Sequence, residues 1–198
     1  MPRIVWAYIR AIDAMNRFIG RVAMYLIFVL IGVLLWSSVS KTFFNPSLWT
    51  LETAQFVMVA YYVLGAPYSI QLGSNVRMDL FYGAWSVRTK AWVDAFTVFF
   101  LLFYLGVLLY GAVGSTAYSL GYFGTEPFSW FWQVFKTLVT QGPTAAGEMF
   151  GFMERSSTAW RPLIWPIKAV LCLGVFLMLL QALAELCRDI LRLKGEAV

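Results

Sequence analysis

The chain has 198 residues, of which 61% are hydrophobic and only 13% are charged, and its mean hydropathy is +0.72. Soluble domains carry about 25% charged residues, so this composition excludes an ordinary soluble enzyme and indicates an integral membrane protein. The net charge of +5 is not concentrated in a basic patch, and we expect no nucleic-acid partner. The chain has no histidine, which removes the commonest general base, metal ligand and haem ligand.

The stretches between the charged residues predict four membrane-spanning helices. A helix needs about 20 apolar residues to cross about 30 Å of hydrocarbon. The predicted spans cover residues 22–40, 51–74, 92–117 and 163–185, and Lys168 in the last span reaches back to the interface. The runs are continuously apolar rather than alternating, which favours helices over barrel strands. We predict an all-α integral membrane protein with a single membrane domain over residues 1–198.

The distribution of cations predicts the orientation of these spans. With the N-terminus in the cytoplasm, ten of the 15 lysines and arginines lie inside and five lie outside. Both termini are therefore predicted to be cytoplasmic. Residues 118–161 then form a long segment on the outer side.

The first 21 residues precede the first span and contain Arg3, Arg10, Arg17 and Arg21. Three of these arginines recur every seven residues, which predicts a cytoplasmic amphipathic helix on anionic lipid headgroups. A frayed basic tail that only fixes the topology is the alternative interpretation. We expect the segment to be retained, because the apolar run after it is too long for a signal-peptide core.

Polar residues open the second span, where a helix N-terminus is predicted. Ser47 or Thr50 is predicted to cap the helix, and a carboxylate at Glu52 meets the positive end of the helix dipole. Glu52 could instead pair with a cation of a partner protein. Gly65 and Ser69 have the spacing of closely packed helices, so we predict helix packing there.

Charges follow the second span in the stretch GSNVRMDLF, residues 73–81. Arg77 is predicted to meet the negative end of the helix and anionic lipid. Asp79 is predicted to cap a short segment lying in the inner interface, and Ser86 to cap the helix of the third span. The stretch therefore predicts a corner at the membrane surface.

The outer segment contains the run PFSWFWQVFKTLV, whose apolar residues 128, 131, 135 and 138 have helical spacing. Its aromatic residues, its single Lys136 and the Gly142–Pro143 stop predict an interfacial helix rather than a fifth span. An exposed apolar face requires lipid or a partner protein, and lipid is the simpler interpretation. Phe131, Trp132 and Phe135 are the candidate residues for docking a partner.

Chemistry-bearing patterns are missing from the sequence. No ionisable residue lies deep in a predicted span, where a charge usually marks a substrate or proton path. Cys172 and Cys187 lie too far apart on one predicted helix to form a disulfide. We predict no catalytic, substrate-binding or metal-ligating residue. The chain is therefore expected to support another membrane protein rather than to transport or catalyse alone.

Three stretches of the chain resemble the small membrane subunit of tripartite ATP-independent periplasmic (TRAP) transporters. The first stretch is WTLETAQFVMVAYYVLGAPYSI, which begins with Trp49 and Glu52 and contains Gly65 further on. The second stretch, NVRMDL, is similar to a family motif at the cytoplasmic end of the second helix. Asn75 stands there in place of the histidine that many members have, so no imidazole can act at this position.

The third stretch is ERSSTAWRPLIWPIKAVLCLGVFLMLLQALAEL, in which Glu154, Ser156 and Pro166 precede or enter the fourth helix. The long outer segment is similar to that of the long-loop branch of the family. The resemblance implies that Arg77 and Asp79 hold the inner face of a scaffold rather than contact substrate.

The resemblance also implies a division of labour among three proteins at a bacterial inner membrane. A periplasmic binding protein would capture an organic acid or a related solute. A large multi-span permease subunit would hold the substrate and sodium sites and move them by an elevator-like mechanism. The small subunit, with no cofactor of its own, would pack on the stationary scaffold and anchor it in the lipid. A membrane anchor of a redox or signalling complex is the alternative, and a stand-alone exporter is a third possibility.

Overall fold

The computed structural model describes residues 3–73 and 85–193, and these residues form six helices. The helices are α1 (Arg3–Phe43), α2 (Thr50–Gln71), α3 (Val87–Ser119), α4 (Pro127–Gln141), α5 (Pro143–Glu148) and α6 (Trp165–Leu193). Within the described ranges, β pairing is limited to one isolated antiparallel bridge between Arg155 and Leu163. The predicted all-α class is confirmed.

Three of the described helices are long and apolar enough to cross a membrane: Arg3–Phe43, Trp92–Ser119 and Trp165–Leu191. The second predicted span, α2, is not among them. Its 22 residues would extend about 33 Å at 1.5 Å per residue, enough to cross the hydrocarbon, but three tyrosines and two glutamines lower its hydropathy. The described residues therefore contain three candidate spans, whereas the fourth span and the cytoplasmic termini stay predictions.

The long helices pack side by side. Helix α1 packs on α2, α2 packs on α6, and α6 packs on α3, while the first turns of α1 also contact α6. Helix α6 is central, because it contacts the other three long helices. Its apolar part is also more buried than those of α1 and α3. Leu105, Val175 and Ala182 form the apolar contact between α3 and α6. The outward faces of the helices carry large apolar side chains, as a bilayer requires.

Two glycines allow α2 to approach its neighbours closely. A Cβ atom at Gly20 of α1 would lie 2.7 Å from Cγ of Tyr68, and one at Gly174 of α6 would lie 2.8 Å from the Val63 carbonyl oxygen. Close packing of this kind is typical of helices in lipid. The packing predicted at Gly65 is not found, because a Cβ there would meet no atom of the described residues within 4 Å.

Helix α1 includes both the predicted amphipathic segment and the first predicted span. Its 41 residues extend about 62 Å, roughly twice the hydrocarbon thickness. The first turns bury Ile9 and Ile12 against Ala184 and Leu191 of α6. The frayed-tail alternative is therefore wrong for the described part of this segment, which is helical and packed.

The helix ends confirm one predicted cap and correct another. The Ser86 side chain accepts a hydrogen bond from the Thr89 amide at 3.2 Å and caps α3 as predicted. The N-cap residue of α2 is Trp49, which makes no side-chain cap hydrogen bond, so the capping role predicted for Ser47 or Thr50 is wrong. The Thr50 hydroxyl instead donates a hydrogen bond to the carbonyl oxygen of Ser47 at 3.2 Å, because the turn between α1 and α2 brings these two groups together.

The helix predicted in the run PFSWFWQVFKTLV is present as α4. Pro127 begins it, as suits a residue with no amide hydrogen, and Gly142 ends it with a φ of 89°. Trp130 is buried against Ala117 and Leu120 at the end of α3. Helix α4 therefore rests on the bundle with one side and leaves the other side open.

Candidate functional site

Residues 149–164 join α5 to α6 and fold over the end of the bundle where α3 ends and α6 begins. The Gly151 amide donates to the Leu120 carbonyl at 3.0 Å, and the Glu154 amide donates to the Ser119 carbonyl at 3.0 Å. These two bonds fix the segment on the end of α3. Its irregular backbone is satisfied by the helix end that it covers.

Glu52 is a buried carboxylate at the centre of a polar cluster beneath this segment, whose other members are half-buried or exposed. It is only 4% exposed, and its Oε1 atom accepts hydrogen bonds from the Ser156 hydroxyl at 2.5 Å and from the Thr158 hydroxyl. Its Oε2 atom is buried without a hydrogen-bond partner among the described residues. The carboxylate in the first turn of α2 thus holds a segment more than a hundred positions later in the chain.

Glu154 forms a second link at the same end of the bundle. Its Oε2 atom lies 2.7 Å from Nζ of Lys168, which also donates to the Ser115 carbonyl at 3.3 Å. The pair joins the covering segment, α6 and α3. We call Glu52, Glu154, Ser156, Thr158 and Lys168 the loop clasp.

The structure brings some of the predicted motif residues together and leaves others apart. Glu52 contacts Ser156, and Glu154 lies two positions away with a different partner. Trp49 is a partly exposed residue at the start of α2. Thr158 was missed by the sequence reasoning, although the hydroxyl-rich run from residue 156 to residue 158 gave a signal for it.

Four other motif residues make none of these contacts or cannot be placed. Pro166 is exposed in the first turn of α6. Asn75, Arg77 and Asp79 lie outside the described residues, so the predicted membrane corner stays a prediction.

The four N-terminal arginines predicted to contact lipid headgroups are all exposed on α1, at residues 3, 10, 17 and 21. Their exposure leaves the guanidinium groups accessible to anionic groups. The headgroup contact itself stays a prediction.

The candidate docking residues of α4 do not share one environment. Phe131 is half-buried and packs into the cluster around Trp130. Trp132 and Phe135 are 57% and 54% exposed, and their rings stack with centroids 5.8 Å apart. Nζ of Lys136 lies 5.4 Å from the centroid of the Trp132 ring. Trp132 and Phe135 therefore stay exposed on α4 whereas Phe131 acts in packing, and docking of a partner at these residues stays a prediction.

A second polar cluster joins the first turns of α1 to the last turns of α6. Asn16 donates to Oε1 of Gln181 at 2.7 Å, and Nε2 of Gln181 donates to Asp13 and Glu185 at 3.2 Å each. Arg188 forms ion pairs with Asp13 and Glu185. We call Asp13, Asn16, Gln181, Glu185 and Arg188 the terminal network.

Gln181 thus joins α6 to the neighbouring α1 through its side chain. Asn16 and Gln181 are 1% and 0% exposed, so the network is an internal tie rather than an open site. The polar residues Asp13 and Asn16 within this basic segment were the available signal for the contact with α6.

Neither polar cluster has the arrangement of a metal centre. Within residues 3–73 and 85–193, no group of three or more acidic or cysteine residues could hold a metal ion. The two clusters consist of carboxylates, amides, hydroxyls and cations that are bonded to one another. Their chemistry is that of ties between helices.

The comparison with protein families decides the class of the chain. A family described as tripartite ATP-independent periplasmic transporters, DctQ component, matches residues 30–146, which is more than half of the chain. The chain belongs to the DctQ family. The match includes α2, α3 and α4, whereas most of the loop clasp and the terminal network lie beyond it. No curated protein and no solved structure matches the chain.

Membership of the DctQ family confirms the resemblance inferred from the three stretches. A DctQ component belongs to a transporter and is not an enzyme, which confirms the prediction of a non-enzymatic chain. It also makes the chain a membrane subunit of a tripartite system. The alternative of an anchor for a redox or signalling complex receives no support from this match.

Proposed function

We propose that this DctQ chain is the non-catalytic small subunit of a sodium-driven importer of an organic acid or a related solute. It packs on the stationary scaffold of a large multi-span permease subunit and anchors that scaffold in the bacterial inner membrane. A periplasmic solute-binding protein delivers the solute. The solute and sodium sites belong to the large subunit, and no cofactor is bound by this chain.

The observation that carries the proposal is the absence of ionisable side chains from the centres of the four long helices. Each of the four long helices α1, α2, α3 and α6 has a charge-free stretch, and these stretches cover residues 22–40, 53–71, 95–119 and 169–184. Ion-coupled transport needs charged or polar groups within the membrane, which favours their location in another subunit. The loop clasp and the terminal network keep polar groups at the two ends of the bundle and use them for internal contacts.

The proposed topology has four spans, with both termini in the cytoplasm and the loop clasp in the periplasm. Support for α2 as the fourth span comes from its position, because it packs on α1 and on α6, which are both candidate spans. Contact with two candidate spans along its length favours a membrane-crossing path for α2 as well. The excess of cations on the side of the termini supports the orientation.

The exposed aromatic side of α4 is a candidate contact for the binding protein. Trp132 and Phe135 are large, exposed and stacked, which are features of protein interfaces. Under the proposed topology, α4 lies on the periplasmic side, where a soluble binding protein could reach it.

Uptake of solute by cells tests the proposed function. Deletion of this chain is expected to abolish uptake of the solute that its binding protein carries, and expression of the chain from a plasmid is expected to restore it. The large subunit must be quantified in the same membranes, since an anchoring role also predicts less large subunit. Full uptake after deletion would contradict the proposal.

A further inference from the structure

A cavity of about 320 Å³ lies between α3, α4 and α6, near the end of the bundle that carries the loop clasp. It opens on the outside of the bundle. The atoms exposed to the cavity are all apolar. They belong to Val113, Thr116, Phe128, Phe131, Ala169 and Cys172. The volume is at the lower end of the range of about 300–1,000 Å³ that is typical of ligand sites.

The lining has no free hydrogen-bonding group to offer a ligand. The Thr116 hydroxyl donates to the Ala112 carbonyl at 2.7 Å and lies 3.2 Å from Sγ of Cys172. The polar atoms of the lining side chains are therefore already engaged. Water would find no partners in such a cavity, and its occupant must be a group that makes only apolar contacts.

The depth of the cavity indicates the source of that occupant. Val113 lies six residues before the end of α3, and Cys172 lies seven residues after the start of α6, or about 9 and 10 Å along the helices. Both helices are candidate membrane spans. With residues 92–117 and 163–185 as the membrane spans, the cavity lies in the outer part of the lipid chains, next to the headgroup region of about 5–8 Å on each side of the bilayer.

Helix α4 forms the outer wall of the cavity. Phe128 stacks on Tyr110 of α3 with ring centroids 5.9 Å apart, and both side chains are more than half exposed. The opening is thus rimmed by aromatic groups that need an apolar solvent. Lys168 precedes the lining residue Ala169 and extends toward the loop clasp, so an ammonium group lies on the headgroup side of the cavity.

We propose that this groove binds one acyl chain of a membrane phospholipid, whose headgroup lies on the side of the Lys168–Glu154 ion pair. An acyl chain satisfies each observation, because it needs no hydrogen bond and arrives from the bilayer at this depth. The lipid fills the space beneath α4 and holds this helix on α3 and α6. The inference requires only that α3 and α6 span a membrane, and it does not depend on the transported solute.

Photolabelling in membranes tests the proposal. Membranes that contain the full complex are loaded with a phosphatidylethanolamine whose acyl chain carries a diazirine at its middle, and labelled residues are mapped after illumination. Adducts are expected on Val113, Phe131 and Cys172. Ala169→Phe fills the groove and is expected to remove these adducts, whereas Val107→Phe, at an exposed position of α3 about 9 Å along the helix from Val113, is expected to retain them.

Two labelling outcomes would overturn the proposal. In the first, adducts are confined to outward residues away from the groove, such as Phe103 and Val107 of α3, so the groove holds no lipid chain. In the second, the groove residues cross-link to another polypeptide, which would make the groove a protein interface.

A thiol measurement keeps the proposal testable if Ala169→Phe does not fold. In a Cys187→Ala background, the reaction of Cys172 with a membrane-permeable maleimide is measured in delipidated and in lipid-repleted complex. Bound lipid is expected to slow the reaction several-fold. Equal rates in the two samples would overturn the proposal.

Discussion

Glu52 lies where two effects favour a carboxylate. The dipole of α2 stabilises a negative charge in its first turn by about 0.3–1 kcal/mol. Hydrogen bonds to charged groups contribute about 1.5–3 kcal/mol each, and Glu52 accepts two, from Ser156 and Thr158. The contacts with the covering segment therefore outweigh the dipole. At 4% exposure, the carboxylate is enclosed by its own chain, which favours a local role over pairing with a cation of a partner.

Substitution of Glu52 separates the local role from pairing between subunits. Glu52→Ala leaves two hydroxyls without their acceptor and is expected to destabilise the chain by about 1–3 kcal/mol in thermal or denaturant unfolding. Glu52→Gln keeps an acceptor oxygen and is expected to retain assembly and transport. Gln55→Ala, at an exposed position one turn later in α2, is the matched control and is expected to leave the stability of the chain unchanged. Normal stability with lost assembly in Glu52→Gln would reveal an ion pair between subunits instead.

The contact between Asn16 and Gln181 is expected to be a coupled interaction. Asn16→Leu leaves the buried Gln181 oxygen without its donor, at an expected cost of about 1–3 kcal/mol. Gln181→Leu also removes bonds to Asp13 and Glu185 and is expected to cost more. A double-mutant cycle measured by unfolding is expected to give a coupling energy of about 0.5–1.5 kcal/mol. If the two single substitutions had additive effects on the free energy of unfolding, the hydrogen bond between Asn16 and Gln181 would contribute no coupling energy.

At the scale of elements, α2 depends on its neighbours more than on its own apolarity. Its tyrosines and glutamines make it less apolar than the three candidate spans, yet it lies between α1 and α6. Gly20 and Gly174 permit this position, because neither helix presents a side chain where α2 approaches. Van der Waals contact at short distance then replaces part of the contact with lipid.

Two glycine substitutions test this packing as a matched pair. Gly174→Ala places a Cβ 2.8 Å from the Val63 carbonyl and is expected to separate α2 from α6 and to destabilise the isolated chain. Gly65→Ala meets open space and is expected to leave the isolated chain as stable as the wild type or slightly more stable. Unfolding in detergent measures both variants. Equal tolerance of the two substitutions would contradict the packing described for α2.

Helix α4 has a buried side and an exposed side, which predicts different consequences for its aromatic residues. Trp130→Ser removes the buried contact with Ala117 and Leu120 and is expected to destabilise the chain. Trp132→Ser with Phe135→Ser changes only exposed rings and is expected to reduce uptake while the membrane complex stays intact. Uptake and co-purification are measured together. Unchanged uptake in the double variant would assign the exposed side to lipid contact.

At the scale of the whole molecule, the elements that depend on local chemistry were predictable from the sequence. Ser86 and the Pro127 to Gly142 segment carry their own start and stop signals, so the cap and the helix were predicted correctly. The cap of α2 was predicted wrongly, because the Thr50 hydroxyl bonds to the preceding turn and to α1.

The two polar clusters could be predicted only in part. Contacts such as Glu52 with Ser156 join residues 104 positions apart, and no local pattern specifies them. The resemblance singled out both residues but not their contact. The buried side of α4 was missed because aromatic residues surround the helix, so the apolar spacing did not single out Trp130.

The central claim is that this chain is a structural subunit of a larger transporter, and co-purification tests it most directly. The tagged chain is isolated from gently solubilised membranes, and the proteins that accompany it are identified by mass spectrometry. A large multi-span permease in a fixed ratio to this chain, retained in Glu52→Gln and reduced in Gly174→Ala, is the result that the account predicts. Isolation of the chain without any large membrane partner, together with intact solute uptake in its absence, would contradict it.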